Sequence, residues 1–312
     1  MDTLSRLLSL YTIGTSLDIR CELAAPWVLD EPASAPGSAP FHVIVAGAAR
    51  LEMPGQDSVL LQAGDVVLLP GGGAHRLLAG DGAPAGAIAD LPASGPLRRK
   101  GNGGTGPGTV ILCGSFAFDD GARHTLMNAL PSVMVVRPGR AADAAGLQAL
   151  VTLLQHETTD DGSEPRPGAG VVVAQLSGAL FALLMRAWLA QGATPSGLFA
   201  VLADRRLGQA LRHMLAAPER PWRVEDLATA CHMSRATFAR LFTKLCGMAP
   251  LDALTRLRMA RAGAALAREA RAVGDVALAV GYQSEAAFNR VFKRHYGIGP
   301  GAWRRAQGEA SA

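Results

Sequence analysis

The first ten residues, Met1 to Leu10, lack the basic stretch, apolar run and small-residue cleavage site of a secretory signal. The expected location is therefore the cytoplasm. Long apolar runs are scarce too: Ala169 to Met185 is uncharged for 17 residues, contains Gln175, Ser177 and Gly178, and runs into Arg186. A bilayer span needs ~20 apolar residues. The segment is read as a buried or dimer-forming helix, and no membrane partner is expected. Cysteine is limited to Cys21, Cys113, Cys231 and Cys246, with no CxxC and no short Cys/His pattern. That argues against a zinc finger and leaves free thiols as the expectation in a reducing compartment. Charged residues make up only 18% against 49% hydrophobic, a balance that excludes a disordered chain.

With 312 residues there is room for two domains, each with its own core. The net charge of +4 conceals an asymmetry. Residues 219–306 hold 15 Lys/Arg against 7 Asp/Glu, whereas residues 1–218 hold 15 against 18. A basic block joined to a mildly acidic one predicts a polyanion partner for the C-terminal part alone.

From Arg20 to about Phe118 short apolar runs (Phe41–Val45, Val59–Leu61, Val66–Leu69, Val110–Leu112) alternate with Gly/Pro clusters, which predicts an all-β sandwich or small barrel. Gly95 to Gly108, rich in Gly and carrying Arg98, Arg99 and Lys100, reads as a mobile loop with a solvated basic cluster. Two helices are expected at Ala142–Glu157 and Gly170–Gln191, joined by an acidic connection at Asp160–Gly168. In the first, Leu147, Leu150, Val151 and Leu154 keep the spacing of one helix face. Gly192, Thr194, Pro195, Ser196 and Gly197 then break the periodicity and mark a linker.

Past the linker the chain repeats itself. Val224 to Ala230 matches Val273 to Ala279, and Ser234, Ala236, Phe238, Arg240, Phe242, Gly247 and Pro250 match Ser284, Ala286, Phe288, Arg290, Phe292, Gly297 and Pro300. Each copy has the form of a helix-turn-helix: a short alanine-bearing helix, a turn (Cys231-His232-Met233 or Gly281-Tyr282-Gln283), and a serine placed to cap the next helix. Phenylalanines four apart face the core and leave a polar outer face suited to a major groove. The DNA-contacting positions expected are Ser234, Arg235, Ala236, Thr237, Ala239, Arg240 and Lys244 in the first unit. In the second they are Ser284, Glu285, Ala286, Asn289, Arg290 and Lys293. Pro250 to Ala267 reads as a connecting helix of ~27 Å, comparable with the ~34 Å of one DNA turn.

These residues resemble the AraC/XylS family of bacterial transcription regulators. The match runs from about Arg205 to Arg305. Its most specific part is Val276 to Arg294 followed by Gly297-Ile298-Gly299-Pro300, and the connecting-helix Arg258 also fits. Ala253 stands where the family commonly has an aromatic and Trp303 where it has a tyrosine, so local repacking is expected there. The N-terminal half resembles the family's cupin-type sensor domain through Ala25-Pro26-Trp27, Phe41-His42-Val43, Ala63 to Pro70 with His75, Leu112 to Phe116, and Ala129-Leu130-Pro131. The fold class implied is α+β: an all-β cupin-like sensor and dimerisation domain with two following helices over residues 1–192, and a linker over 193–203. An all-α domain of two helix-turn-helix units joined by a helix completes it over 204–307. Double-stranded DNA, a second copy of the chain and, for an activator, RNA polymerase are the implied partners.

A catalytic cupin usually holds a metal with several His and a Glu. Here His42 is followed by Val43-Ile44, His75 fits the second motif, and Glu52 is distant, a poor set against the three or four protein ligands that divalent metals require. No metal, cofactor or catalysis is expected. Ligand or redox sensing is assigned to His42, His75, Cys21 and Cys113, with Arg20 and Arg123 as cations able to stabilise a thiolate. Two readings remain: a regulator answering a small molecule or an oxidant, and a metal-dependent cupin enzyme tethered to DNA.

Overall fold

In a computed structural model of the chain, which describes residues 1–11, 13–80, 86–92, 95–138, 145–159, 166–192 and 195–310, the short apolar runs fall in strands. The strands are β1 (Ile13–Ala24), β2 (Trp27–Glu31), β3 (Ser38–Ala46), β4 (Ala48–Glu52), β5 (Val59–Gln62), β6 (Val66–Leu68), β7 (His75–Ala79), β8 (Ala89–Asp90), β9 (Arg98–Gly101), β10 (Gly108–Phe118) and β11 (Met134–Val136). The helices are α1 (Thr3–Leu8), α2 (Asp120–Thr125), α3 (Ala145–Thr158), α4 (Ala169–Ala190), α5 (Gly197–Ala203), α6 (Leu207–Ala216), α7 (Val224–Ala230), α8 (Arg235–Cys246), α9 (Pro250–Arg268), α10 (Val273–Ala279), α11 (Glu285–Tyr296) and α12 (Pro300–Ala310). Two compact units result, a sheet unit of Ile13–Ala117 with Leu130–Ala193 and a helical unit of Met1–Thr12, Phe118–Ala129 and Thr194–Ala312.

Among the described residues the sheet unit has one sheet in the order β11-β6-β3-β10-β1-β9-β8 and another in the order β2-β7-β4-β5. Side chains on a strand alternate between faces, and this alternation sorts the core. Cys21, Leu23, Ile44, Ile111 and Cys113 join Trp27, Leu51, Leu61 and Leu77 in one buried cluster. Phe41 and Phe116 lie on the opposite face of β3 and β10, stacked at 4.6 Å, where Phe181 of α4 meets Phe116 edge-on at 5.1 Å. By length and composition α4 could cross a bilayer. Its Val173, Ser177, Leu180, Phe181, Leu184 and Trp188 are nevertheless buried within the unit, as are Leu147, Leu150, Val151 and Leu154 of α3.

Three expectations are corrected. Gly95–Gly108 is not a loop throughout, because β9 pairs in parallel with β1, and Arg99 is held by Glu22 at 2.7 Å. Of the expected linker 193–203, residues 197–203 form α5, whose Leu198, Phe199 and Val201 are buried and which packs on α6 and α8. A cut at residue 192 would also group Met1–Thr12 and Phe118–Ala129 with the sheets, although both belong to the helical unit. Residues 142–144 of the first expected helix, and 160–165 of the acidic connection, lie outside the described residues.

In the helical unit the repeat becomes two helix-turn-helix units, α7–α8 and α10–α11, joined by α9. Phe238, Phe242, Phe288 and Phe292 are fully buried. The Ser234 hydroxyl accepts from the Thr237 N–H and that of Ser284 from the Ala287 N–H, each at 3.3 Å, so both serines cap as expected. Ala253 is buried without an aromatic ring, and Trp303 donates its indole N–H to the Gly263 carbonyl at 3.2 Å. Arg258 of α9 donates to the carbonyls of Pro218 at 2.7 Å and Arg220 at 2.9 Å. Its guanidinium also approaches Gly281, where an added Cβ would lie 2.6 Å from the Glu219 carbonyl oxygen.

Gly281 and Gly297 both adopt positive φ, +86° and +75°, yet only Gly281 is crowded. Gly297→Ala should cost about 1–2 kcal/mol for the left-handed backbone alone. Gly281→Ala should cost more, because a carbonyl and Arg258 stand in the way. Urea unfolding of the full chain checks this ordering, and equal losses would refute the crowding argument.

Candidate nucleic-acid interface and a buried thiol–imidazole cluster

The inner faces of α8 and α11 are taken up by their phenylalanines, so the remaining polar positions face outward. On the first unit Ser234, Arg235, Ala236, Arg240 and Lys244 are exposed, while Thr237 and Ala239 are half-buried. Thr237 Oγ1 accepts from the Ser234 hydroxyl at 3.0 Å. Arg235 is paired with Glu225 at 2.8 Å, an exposed contact worth ~0–1 kcal/mol and easily exchanged for a phosphate. On the second unit Ser284, Glu285, Ala286, Arg290 and Lys293 are exposed. Asn289 is half-buried, and its Oδ1 has no partner among the described residues. Arg294 is a further exposed cation on α11. Such a surface offers guanidinium and amide groups of the kind that read guanine and adenine edges.

The four residues assigned to sensing come together in the sheet unit. His42 on β3 stands opposite Cys113 on β10 in the strand register, and its Nδ1 lies 3.1 Å from Cys113 Sγ. Its Nε2 lies 2.8 Å from Nε2 of His75 on β7. The His75 Nδ1 is 2.9 Å from the Gly73 carbonyl oxygen. Cys21, on β1 next to β10, lies in the same buried cluster as Cys113. All four are buried, with Cys21 1% and Cys113 7% exposed.

A carbonyl can only accept, and a neutral imidazole carries one N–H. His75 therefore donates from Nδ1 and accepts at Nε2, so His42 donates from Nε2 and keeps a bare Nδ1 toward the Cys113 thiol. Burial, followed by the neighbouring His75, pulls the His42 pKa down to about 3, which keeps the ring neutral. The two thiols divide their acidity. Cys113 beside it, and then the positive field of Lys100, hold the Cys21 thiol below its ordinary value against the effect of burial. Cys21, and then burial, push the Cys113 thiol up.

Of the two cations expected near these thiols, Arg20 points to the other face of β1, where it bonds Glu22 at 2.8 Å and Thr158 at 3.4 Å. The side chain of Arg123 lies outside the described residues. Lys100 takes the role, being opposite Cys21 in the β1–β9 register; nothing in a segment read as loop pointed to it. The two nitrogens of His42 face different neighbours and cannot converge on one ion. Among the described residues no group of three or more His, Cys, Asp or Glu is disposed to hold a metal. On one side His75 walls a cleft of about 550 Å³ shared with Asp30, Glu31, Glu52, Met53 and Arg76.

Known proteins resemble both units. The family described as Cupin matches residues 2–190, and that described as Helix-turn-helix domain matches residues 227–306. The RCS-specific HTH-type transcriptional activator RclR of Escherichia coli strain K12 is 34% identical over 97% of this chain and 97% of its own. The HTH-type transcriptional regulator MtrA of Neisseria gonorrhoeae is 31% identical over 99% of this chain and 100% of its own. Among solved structures, the DNA-binding domain of AdpA in complex with a target DNA shares 34% identity, covering 33% of this chain and 92% of that one with a TM-score of 0.31.

A buried histidine held neutral makes acid stability fall in a defined window. The unfolded ring takes up a proton near pH 6.5, the folded ring only near 3. Stability is therefore lost as pH drops from about 6.5 toward 3, at up to ~1.4 kcal/mol per pH unit from this group. His42→Asn should flatten the slope of unfolding free energy against pH in that window by as much as one proton, whatever its effect at neutral pH. An unchanged slope in urea titrations would contradict a neutral, buried His42.

Proposed function

This chain belongs to the AraC-type helix-turn-helix transcription regulators that carry an N-terminal cupin domain, and on that premise we propose that it is a cytoplasmic, signal-controlled activator reading two adjacent major grooves. α8 and α11 are the reading helices. Arg240 and Arg290 contact guanine, Asn289 contacts adenine, and Ser234, Lys244, Ser284 and Lys293 hold phosphates. Activation is carried over from the relative named a transcriptional activator, and with it RNA polymerase as a partner.

The signal acts on the thiols. What supports this is the hydrogen-bonded series Cys113, His42 and His75, with Cys21, whose thiol is acidified, in the same buried cluster. A two-electron oxidation joining the two sulfurs would change the sheet unit at its centre, and the chain is not an enzyme in this reading. The cleft beside His75 supports a second reading, in which a small molecule bound there is the signal. Either signal works only if it favours one presentation of the helix-turn-helix units over another. The chain works as a homodimer through α3 and α4, where Leu153, Val171 and Val172 are 51%, 68% and 41% exposed.

In selections from randomised duplexes, Arg240→Ala and Arg290→Ala should each erase preference at particular positions, by the ~1–3 kcal/mol of a bidentate contact. Uniform weakening across sequences would reassign them to phosphates. Cys21→Ser should bind DNA as the reduced protein does but ignore oxidants; an oxidant response equal to the native chain's would eliminate the thiol reading. Val171→Glu should shift the full chain from dimer to monomer in sedimentation, and a native chain that sediments as a monomer would refute the dimer.

A further inference from the structure

A cavity of about 430 Å³ lies within the helical unit, and none of the outward positions of α8 or α11 lines it. One wall is the N-terminal segment, through Arg6, Ser9 and Leu10. The other is the C-terminal half of α9, the turn after it and α10, through Arg261, Arg268, Arg271 and Val276. α1 is held in place by Leu7, which is fully buried, and by its packing on α6. Arg268 donates to the Ser9 carbonyl at 3.4 Å and so spans the two walls.

Arg6, Arg261, Arg268 and Arg271 bring four guanidinium groups to this space against one carboxylate, Glu269, a net charge of +3 in the lining. Arginine keeps its charge throughout, and Glu269 is already engaged by Arg271 at 3.4 Å. Arg261 is exposed and makes no ion pair among the described residues. Arg6 donates from Nε to the Met1 carbonyl at 3.1 Å and keeps its terminal nitrogens for a further acceptor. Beneath these groups the surface is apolar, formed by Leu10, Leu215, Val276 and Val280. We propose that the cavity binds a small organic dianion, its charges on the guanidinium groups and its apolar body over the leucines and valines.

The volume falls in the range of about 300–1,000 Å³ of small-molecule sites. A monoanion would leave most of the lining charge unanswered, whereas two negative charges meet groups on both walls. The planar guanidinium pairs with phosphate and carboxylate alike, so phosphate monoesters and dicarboxylates share the required chemistry. A DNA backbone is the other anion four arginines could meet, but it is broad and polar and makes no use of an apolar floor. The site lies wholly in the helical unit and goes beyond the two signals placed above in the sheet unit. Its occupant touches α1 on one side and, on the other, the first helix of the second helix-turn-helix. DNA reading responds to it to the extent that the dianion favours one placement of α10 over another.

The test is calorimetric titration of the full chain at pH 8, where phenyl phosphate is a dianion. Phthalate serves as the dicarboxylate, and benzoate, benzyl alcohol and inorganic phosphate as controls. Phenyl phosphate or phthalate should bind once per chain, at least tenfold more tightly than benzoate or inorganic phosphate, and benzyl alcohol should not bind. Arg261→Gln should weaken the preferred dianion about tenfold or more, the scale of a charge-assisted hydrogen bond. Arg6→Gln should do the same from the opposite wall. Hydrogen exchange needs no variant: in the native chain the bound dianion should slow exchange in α1 and α10. No binding of either dianion, equal binding of benzoate, native affinity in both variants, or protection confined to other segments would each overturn the site. Displacement of the dianion by a duplex of random sequence would overturn it as well, and would assign the four arginines to DNA phosphates.

Discussion

A reading helix can offer its polar face to solvent only while its other face is fully occupied, and in the helical unit that hold is made by phenylalanines four residues apart. Phe238 and Phe242 on α8, and Phe288 and Phe292 on α11, are buried completely. Each burial is worth a few kcal/mol, of the order of 1.5–3 per side chain, far more than any exposed ion pair on the same helix. Rotation of either helix about its axis is thereby fixed, and the outward positions of arginine and lysine follow from it. Serine caps at the start and left-handed glycines at the end set the length of each helix without adding to its hold.

In the sheet unit the corresponding constraint is polar. Burying an imidazole or thiol without a partner costs about 1–3 kcal/mol, so Cys113, His42 and His75 satisfy one another in series beside an apolar cluster. The Gly73 carbonyl anchors one end because it accepts and never donates. Reversing either imidazole link would leave two donors or two acceptors face to face. The order of the series is thus a matter of hydrogen-bond bookkeeping, and the tautomers follow without reference to any ligand.

The helix-turn-helix units were legible in the sequence because their signals are local: phenylalanines four apart, a serine before each reading helix, a glycine after it. The two helices of the sheet unit were legible for the same reason. β9 was not, since its partner is β1, far along the chain, and Gly101 and Arg99 carry no strand signal until Glu22 stands opposite. α5 was hidden by the Gly, Pro and Ser that precede it, although Leu198, Phe199 and Val201 decide its burial. Cys21, Cys113, His42 and His75 were each visible, but as two separate possibilities, a histidine pair and a cysteine pair. Period-two alternation tells which side of a strand a residue takes, whereas strand pairing alone tells which other strand it meets. Only the order β3-β10-β1, together with β7 of the other sheet, brings the four together.

Met1–Thr12 and Phe118–Ala129 are counted with the helical unit while the segments on either side of the second belong to the sheets. The backbone consequently passes from one unit to the other at several places along its length. A gene that joined this sensor to a different reader by a single crossover would carry those two segments away from the helices they belong with. An exchange that kept both units whole would therefore have to move Met1–Thr12 and Phe118–Ala129 together with the helices of Thr194–Ala312, three separate pieces of the gene.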